Sequence, residues 1–179
     1  MVQLHIWEIL KGLYFDDVDS SLVGIDLPHH KIHEGETWKV IDPYTFAGAG
    51  TRIWKITTGA VDAHLVIRIS SNVAYRVTLY ENPTLGTATW TDKTSYNCNR
   101  NSSNAAITTV KQENVIGTYN SGTTIIADEL VGSAAPSGRF GGTSRSEAEI
   151  ILKRSEDYGL HIVATGAGDV SPVFEWYEV

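Results

Sequence analysis

The densest run of side chains able to do chemistry is Pro28-His29-His30-Lys31-Ile32-His33-Glu34. Three imidazoles and a carboxylate are zinc ligands by type. Zinc sites normally draw their ligands from separated elements, however, and here three histidines crowd into five residues. The order is also not the His-Glu-x-x-His of a metalloprotease helix. The expectation is that His29, His30, His33 and Glu34 hydrogen-bond and pack where an N-terminal arm joins a compact body. Zinc binding and a pH-sensitive contact are the alternatives.

Other candidate chemistries fail on spacing. Asp17, Asp19 and Ser21 mimic the start of a calcium loop, but Leu22 stands where the turn needs glycine. Pro28 stands where the bidentate glutamate belongs. Cys98 is the one cysteine, so no intrachain disulfide is expected, and no neighbouring histidine marks it as a nucleophile. Gly142-Thr143-Ser144-Arg145-Ser146 lacks the last glycine of a nucleophile elbow. Gly48-Ala49-Gly50 and Gly166-Ala167-Gly168 lack the third glycine and the βαβ setting of a dinucleotide loop. Glu147 and Glu149 share a strand face at i, i+2 and read as a charged solvent face. No catalytic residue, metal site or cofactor is expected.

A second distinctive stretch is Asn97-Cys98-Asn99-Arg100-Asn101-Ser102-Ser103-Asn104. Asn and Ser side chains bond nearby backbone groups and favour turns, so this reads as a loop. Asn amides carry both donors and an acceptor, which suits a loop that grips a partner's backbone or braces its own fold. Among the five Trp and eight Tyr, Trp38, Trp54, Trp90 and Trp176 could stack on sugars. Trp54 and Trp176 read as core, whereas Trp90, set among threonines, reads as a surface contact.

The elements that must carry these residues are mostly strands. Ile6, Ile9, Leu10 and Leu13 allow a short helix in an N-terminal arm, residues 1–27, that ends in a polar linker. Beyond residue 36 the period is two. Alternation marks strands over Asp62–Ser70, Val73–Glu81, 148–152, 158–164 and 173–179. Val66 falls on the polar side of the first. Weaker strands are expected at 37–41, 52–58, 105–111, 114–119 and 123–128. No helix is expected after residue 15. Roughly ten strands without intervening helices point to an all-β, antiparallel β-sandwich, jelly-roll-like, over residues 28–179. Two long segments, 82–104 and 129–147, read as functional loops, the second holding Arg139 and Phe140.

Composition limits the partners. The 179 residues suffice for one domain with a real core. Fourteen basic against 21 acidic residues give a net charge of −7, without a Lys/Arg cluster. Nucleic-acid binding, which rests on basic residues meeting phosphates, is therefore disfavoured. No apolar run reaches 18 residues, so no membrane span is expected, and no signal-peptide pattern opens the chain.

Several stretches together resemble a group of tailed-bacteriophage virion proteins, some of them capsid decoration, or cement, proteins. These are the Pro28–Gly35 segment, Ala63-His64-Leu65-Val66, Leu79-Tyr80-Glu81 and Asn99–Asn104. With them go Gly141-Gly142, Ile150–Lys153 with Tyr158, and Trp176-Tyr177-Glu178. The likeness covers about residues 28–178. It implies a non-enzymatic protein on the capsid surface of the virion, made in the host cytoplasm. The implied partners are the major capsid protein and further copies of itself, as a trimer or dimer. The contact surfaces expected for such a protein are the arm, the His29–Glu34 segment and the two long loops, with candidate residues His29, His30, His33, Glu34, Trp90, Asn99, Arg100, Asn101, Asn104, Arg139 and Phe140. A carbohydrate- or host-binding virion module is the alternative, and a hydrolase on a β-sandwich a third reading.

Overall fold

The computed structural model describes residues 13–15, 22–24, 27–84, 86, 89–115, 124–131, 138–140 and 149–179. Two short strands, β1 (Leu13–Phe15) and β2 (Leu22–Gly24), pair antiparallel. The helix expected over residues 6–13 lies outside the described residues except for Leu13, which is in β1.

The body is an all-β sandwich. Its strands are β3 (Thr37–Ile41), β4 (Tyr44–Phe46), β5 (Gly50–Thr57), β6 (Ala63–Ser71), β7 (Tyr75–Glu81), β8 (Thr89–Asp92) and β9 (Tyr96–Asn97). After them come β10 (Thr109–Val115), β11 (Thr124–Val131), β12 (Gly138–Phe140), β13 (Ile150–Leu152), β14 (Asp157–Ala164) and β15 (Gly168–Glu178). One sheet has six strands in the order β11-β7-β14-β5-β10-β8. The other has seven, in the order β12-β6-β15-β3-β9, with β13 also on β6 and β4 on β15. The pairings are antiparallel throughout. The first long strands alternate between sheets: β3 and β6 lie in the seven-stranded sheet, β5 and β7 in the six-stranded. That alternation sets the sheets face to face.

The period-two residues supply the core. Trp54, Ile56, Tyr75, Val77, Leu79, Leu160 and Ile162 face inward from one sheet, and Leu65, Ile67, Phe174 and Trp176 from the other. Trp54 and Trp176 are both fully buried, as their strand positions imply. Truncating either to alanine removes a large buried ring, at a cost of about 3–5 kcal/mol. Their indole N–H groups need acceptors. Trp54 Nε1 donates to Asp42 Oδ2 at 2.6 Å, and Lys93 Nζ sits 2.7 Å from the other Asp42 oxygen. Trp176 Nε1 donates to Glu178 Oε1 at 3.1 Å. Glu178 also accepts the backbone N–H of Thr108 at 2.7 Å and of Ile107 at 3.2 Å. One buried carboxylate thus ties the end of β15 to the segment entering β10 in the opposite sheet.

Several expectations change. A helix, α1 (Leu27–Glu34), follows residue 15 after all. It escaped pattern reading because none of its residues is buried, so it carries no apolar stripe. The strand expected at 105–111 begins at Thr109, and 114–115 continue it. Of the two long loops, 82–104 contains β8 and β9. The loop expected over 129–147 holds the end of β11 and all of β12, and the rest of it lies outside the described residues. Val66 is 2% exposed although it faces away from the inner core.

Candidate contact surface: a helix capped by an asparagine-rich loop

Pro28 sits in the first turn of α1, where its missing N–H costs nothing. The helix ends at Gly35, whose φ of +74° is a left-handed conformation natural to glycine. Gly35 N–H donates to Ile32 O at 3.0 Å and Glu36 N–H to Lys31 O at 2.9 Å. This pair of bonds is a Schellman cap.

The remaining carbonyls of the helix end find their donors in the asparagine-rich loop. Asn99 Nδ2 donates to His33 O at 2.9 Å. Asn104 Nδ2 donates to Glu34 O at 3.4 Å and to Gly35 O at 3.3 Å. Asn97 Nδ2 donates to Gly35 O at 2.7 Å. The loop folds on itself in the same manner: Asn99 N–H reaches Asn97 Oδ1 at 2.9 Å, and Asn101 N–H reaches Asn99 Oδ1 at 3.1 Å. Asn104 N–H reaches Ser102 Oγ at 3.1 Å. Trp38 Nε1 donates to Asn104 O at 3.4 Å, and Cys98 N–H to Thr37 O at 2.8 Å, anchoring the unit to β3. Loop and helix are therefore one module, and three asparagine amides are engaged within the chain.

Polar side chains of α1 pair locally. Lys31 Nζ lies 2.9 Å from Glu34 and 2.6 Å from Glu36. Burial works against the Lys31 charge, but the bonds to Glu36 and Glu34 outweigh it and raise its pKa. The Lys31 bond in turn lowers the Glu34 pKa. His30 lies 3.6 Å from Glu34, while His29 and His33 stack on each other with centroids 4.9 Å apart.

A cleft of about 530 Å³ opens beside the module, lined by Lys31, Glu36, Trp38, Ile107, Glu178 and Val179 among others. Its carboxylates are engaged: Glu36 by Lys31, Glu178 by backbone amides and the Trp176 indole. Among the described residues no three His, Cys, Asp or Glu side chains converge as metal ligands. No helix among them is long and apolar enough to cross a membrane.

The expected contact residues do not form one surface. His29, His30, His33, Glu34, Asn99, Arg100, Asn101 and Asn104 gather at the β9 end of the seven-stranded sheet. Exposed Arg100 there lies 6.0 Å from the Tyr96 ring. Arg139 and Phe140 lie on β12 at the opposite end of that sheet, in register with Ser70 and Ile69. Trp90 is on β8, the edge of the other sheet, opposite Glu113, and is half-buried.

Pattern reading missed two groups. Tyr96 and Ile41, each 54% exposed, lie near one another on the outer face of β9 and β3, since Tyr96 pairs with Lys39. Exposed apolar residues on adjacent strands give no signal until the pairing is known. The second is a cluster on the outer face of β6 and β15. Glu149 Oε1 lies 2.7 Å from His64 Nδ1 and accepts the Tyr177 hydroxyl at 3.1 Å, and the His64 and Tyr177 rings stack at 4.5 Å. Glu149 is thus a partnered residue and not a bare solvent charge, while Glu147 lies outside the described residues. No protein-family model, curated protein or solved structure matches this chain.

Proposed function

We propose that this protein is a non-enzymatic capsid decoration protein of a tailed bacteriophage that binds the major capsid protein lattice and stabilises the shell. The observation that carries this reading is spatial. The two most specific segments of the resemblance, His33-Glu34-Gly35 and Asn99-Arg100-Asn101-Ser102, pack against one another, through the Asn99 bond to the His33 carbonyl and the close approach of Ser102 to Gly35. Beside them the sheet presents exposed Tyr96, Ile41 and Arg100. A shell-binding surface needs such a preformed mix of apolar and polar contacts, because ordering a loose loop on binding would reduce affinity.

The strand order supports the finer, jelly-roll reading. The eight strands β3-β15-β6-β12 and β5-β14-β7-β11 follow the order produced when two Greek keys wrap into one double sheet, with β8, β9 and β10 as an insertion. That architecture occurs in viral capsid and lectin domains, a likeness of fold and not of site. Self-association as a trimer or dimer at a lattice symmetry axis completes the proposal.

The test compares purified capsids with and without the protein under heat and chaotrope, and measures binding of Tyr96→Asp and Ile41→Asp to bare shells. The expected result is lower resistance of bare shells and loss of binding by the variants. Equal resistance overturns the cement role. For the glycan-binding alternative, Trp90 and Tyr80 lie on strands four places apart, about 19 Å by strand spacing, both half-buried. A glycan array without hits, unchanged by Trp90→Ala, counts against that reading.

A further inference from the structure

We propose that the cleft beside α1 is a binding site for a primary alkylammonium group, the lysine side chain of a partner protein. Glu178 N–H donates to Glu36 O at 3.3 Å, so these two residues lie directly opposite on neighbouring strands. Residues so placed carry their side chains on the same face, with Cβ atoms about 4.5–5.5 Å apart. Both line the cleft. Like charges directly opposite on a sheet are destabilising. Among the described residues that line the cleft, Lys31 is the one base, and Glu34 and Glu36 share it at 2.9 and 2.6 Å. One ammonium thus stands against three carboxylates. Glu178 is 8% exposed, and its bonds come from backbone and indole N–H groups, not from a cation. Buried charges are normally paired.

The bonds already made leave one oxygen of each acid for a ligand. Lys31 Nζ holds Oε2 of Glu36. Oε1 of Glu178 accepts the Thr108 N–H at 2.7 Å and the Trp176 indole at 3.1 Å, while its Oε2 has only a share of the Ile107 N–H at 3.3 Å. Thr108 is 2% exposed and its hydroxyl has no partner, although buried hydroxyls normally have one. An ammonium brings three donors, enough for Glu36 Oε1, Glu178 Oε2 and one further acceptor. The walls set the rest of the ligand. Val61, Ile107 and Val179 present aliphatic surface, and Ile107 and Val179 are each 48% exposed. A lysine stem covers such surface while its head meets the acids. A metal ion would leave the aliphatic walls unused, and among the described residues no three ligand side chains converge. At about 530 Å³ the cleft takes a side chain together with the backbone that carries it. The net charge of −7 draws a basic partner toward the chain.

The experiment is NMR titration of the full chain with the capped tripeptide acetyl-Gly-Lys-Gly-amide. The same peptide with norleucine or acetyllysine in place of lysine, and free cadaverine, are titrated alongside. Expected are shifts of the Trp38 indole N–H and the Ile107 methyl groups with the lysine peptide, and none with the two uncharged peptides. The Glu36 side chain takes no part in the Glu178 tie between sheets, so Glu36→Gln leaves the fold intact. It should weaken the lysine peptide about tenfold, as loss of one charge-assisted hydrogen bond implies. Asp92→Asn, at an exposed acid on the β8 edge of the other sheet, should leave binding unchanged. No shift at the cleft, an equal shift with the norleucine peptide, or binding unchanged in Glu36→Gln overturns the proposal. Equal weakening by Asp92→Asn shows diffuse attraction to an acidic chain and overturns it too. Binding of cadaverine without binding of the lysine peptide overturns the partner protein as the source. None of these outcomes bears on capsid binding.

Discussion

Replacing Gly35 by alanine probes the joint between α1 and the asparagine-rich loop. A side chain at φ +74° costs about 1–2 kcal/mol in the left-handed region. The added Cβ would also stand 2.2 Å from Ser102 Oγ and 2.5 Å from Ser102 Cβ. Ordinary contacts between heavy atoms lie near 3.5–4.0 Å, so Ser102 must retreat by about an ångström or more. Retreat breaks the Asn104 N–H bond to Ser102 Oγ, worth about 1 kcal/mol, and loosens the two Asn104 bonds to the helix end. The sum is roughly 2–4 kcal/mol, which lowers Tm by about 5–15 °C in a chain of this size. Urea unfolding followed by Trp fluorescence reads the global loss, and amide exchange over residues 97–104 reads the local one. Ser102→Gly in the Gly35→Ala background removes the clash but neither relieves the φ strain nor restores the bond to Ser102 Oγ, so it should recover only the loosened Asn104 bonds, about 1 kcal/mol or less. If Gly35→Ala lies within about 0.5 kcal/mol of the parent in stability and exchange, the loop is not seated on the helix end and the capping argument fails.

Other outcomes follow from single groups. Glu178→Gln exchanges a carboxylate that accepts two backbone N–H groups and an indole N–H for an amide that must aim a donor at donors. Urea unfolding should show a loss of about 2–3 kcal/mol. The Arg76 hydrogen bond, with Thr78 aiding, holds the Asp128 carboxyl down at about 2 against an ordinary 3.8. Its contribution is present above pH 3.8 and lost as pH falls toward 2, so Asp128→Asn should flatten acid unfolding in that window. Burial lowers the His161 pKa below its ordinary 6.5. The unfolded chain then binds more protons below pH 6.5, stability falls as pH drops through that value, and His161→Gln should remove this part of a stability–pH curve. Asn99→Ala should speed amide exchange at the C-terminal turn of α1 with little change at β14.

The readable part of this chain was the part governed by local repetition. Alternation in Asp62–Ser70 and in 158–164 located β6 and β14 because a half-buried strand imposes a period of two whatever its partner. Trp54 and Trp176 were recognisable as core for the same reason. The helix over Leu27–Glu34 was not, because an exposed helix leaves no hydrophobic imprint. Its local marks are Pro28 in the first turn and Gly35 just past the end. Val66 falls on the polar side of the alternation yet is buried, because alternation shows which residues share a face, not which outer positions are covered.

By itself the sequence determined the class of fold, the fully buried Trp54 and Trp176 and the turn-forming nature of Cys98–Asn104, all of which depend on residues within a few places of each other; Asn97 closes β9 instead. Tertiary structure decided the rest. The amides of Asn99 and Asn104 meet carbonyls of His33 and Glu34 lying 66 and 70 residues earlier in the chain. Glu178 joins opposite sheets across a similar span. Tyr96 and Ile41 become neighbours only when β9 pairs with β3. Contacts between distant segments depend on strand order, and strand order is set by the burial of both sheets together, which no local pattern encodes.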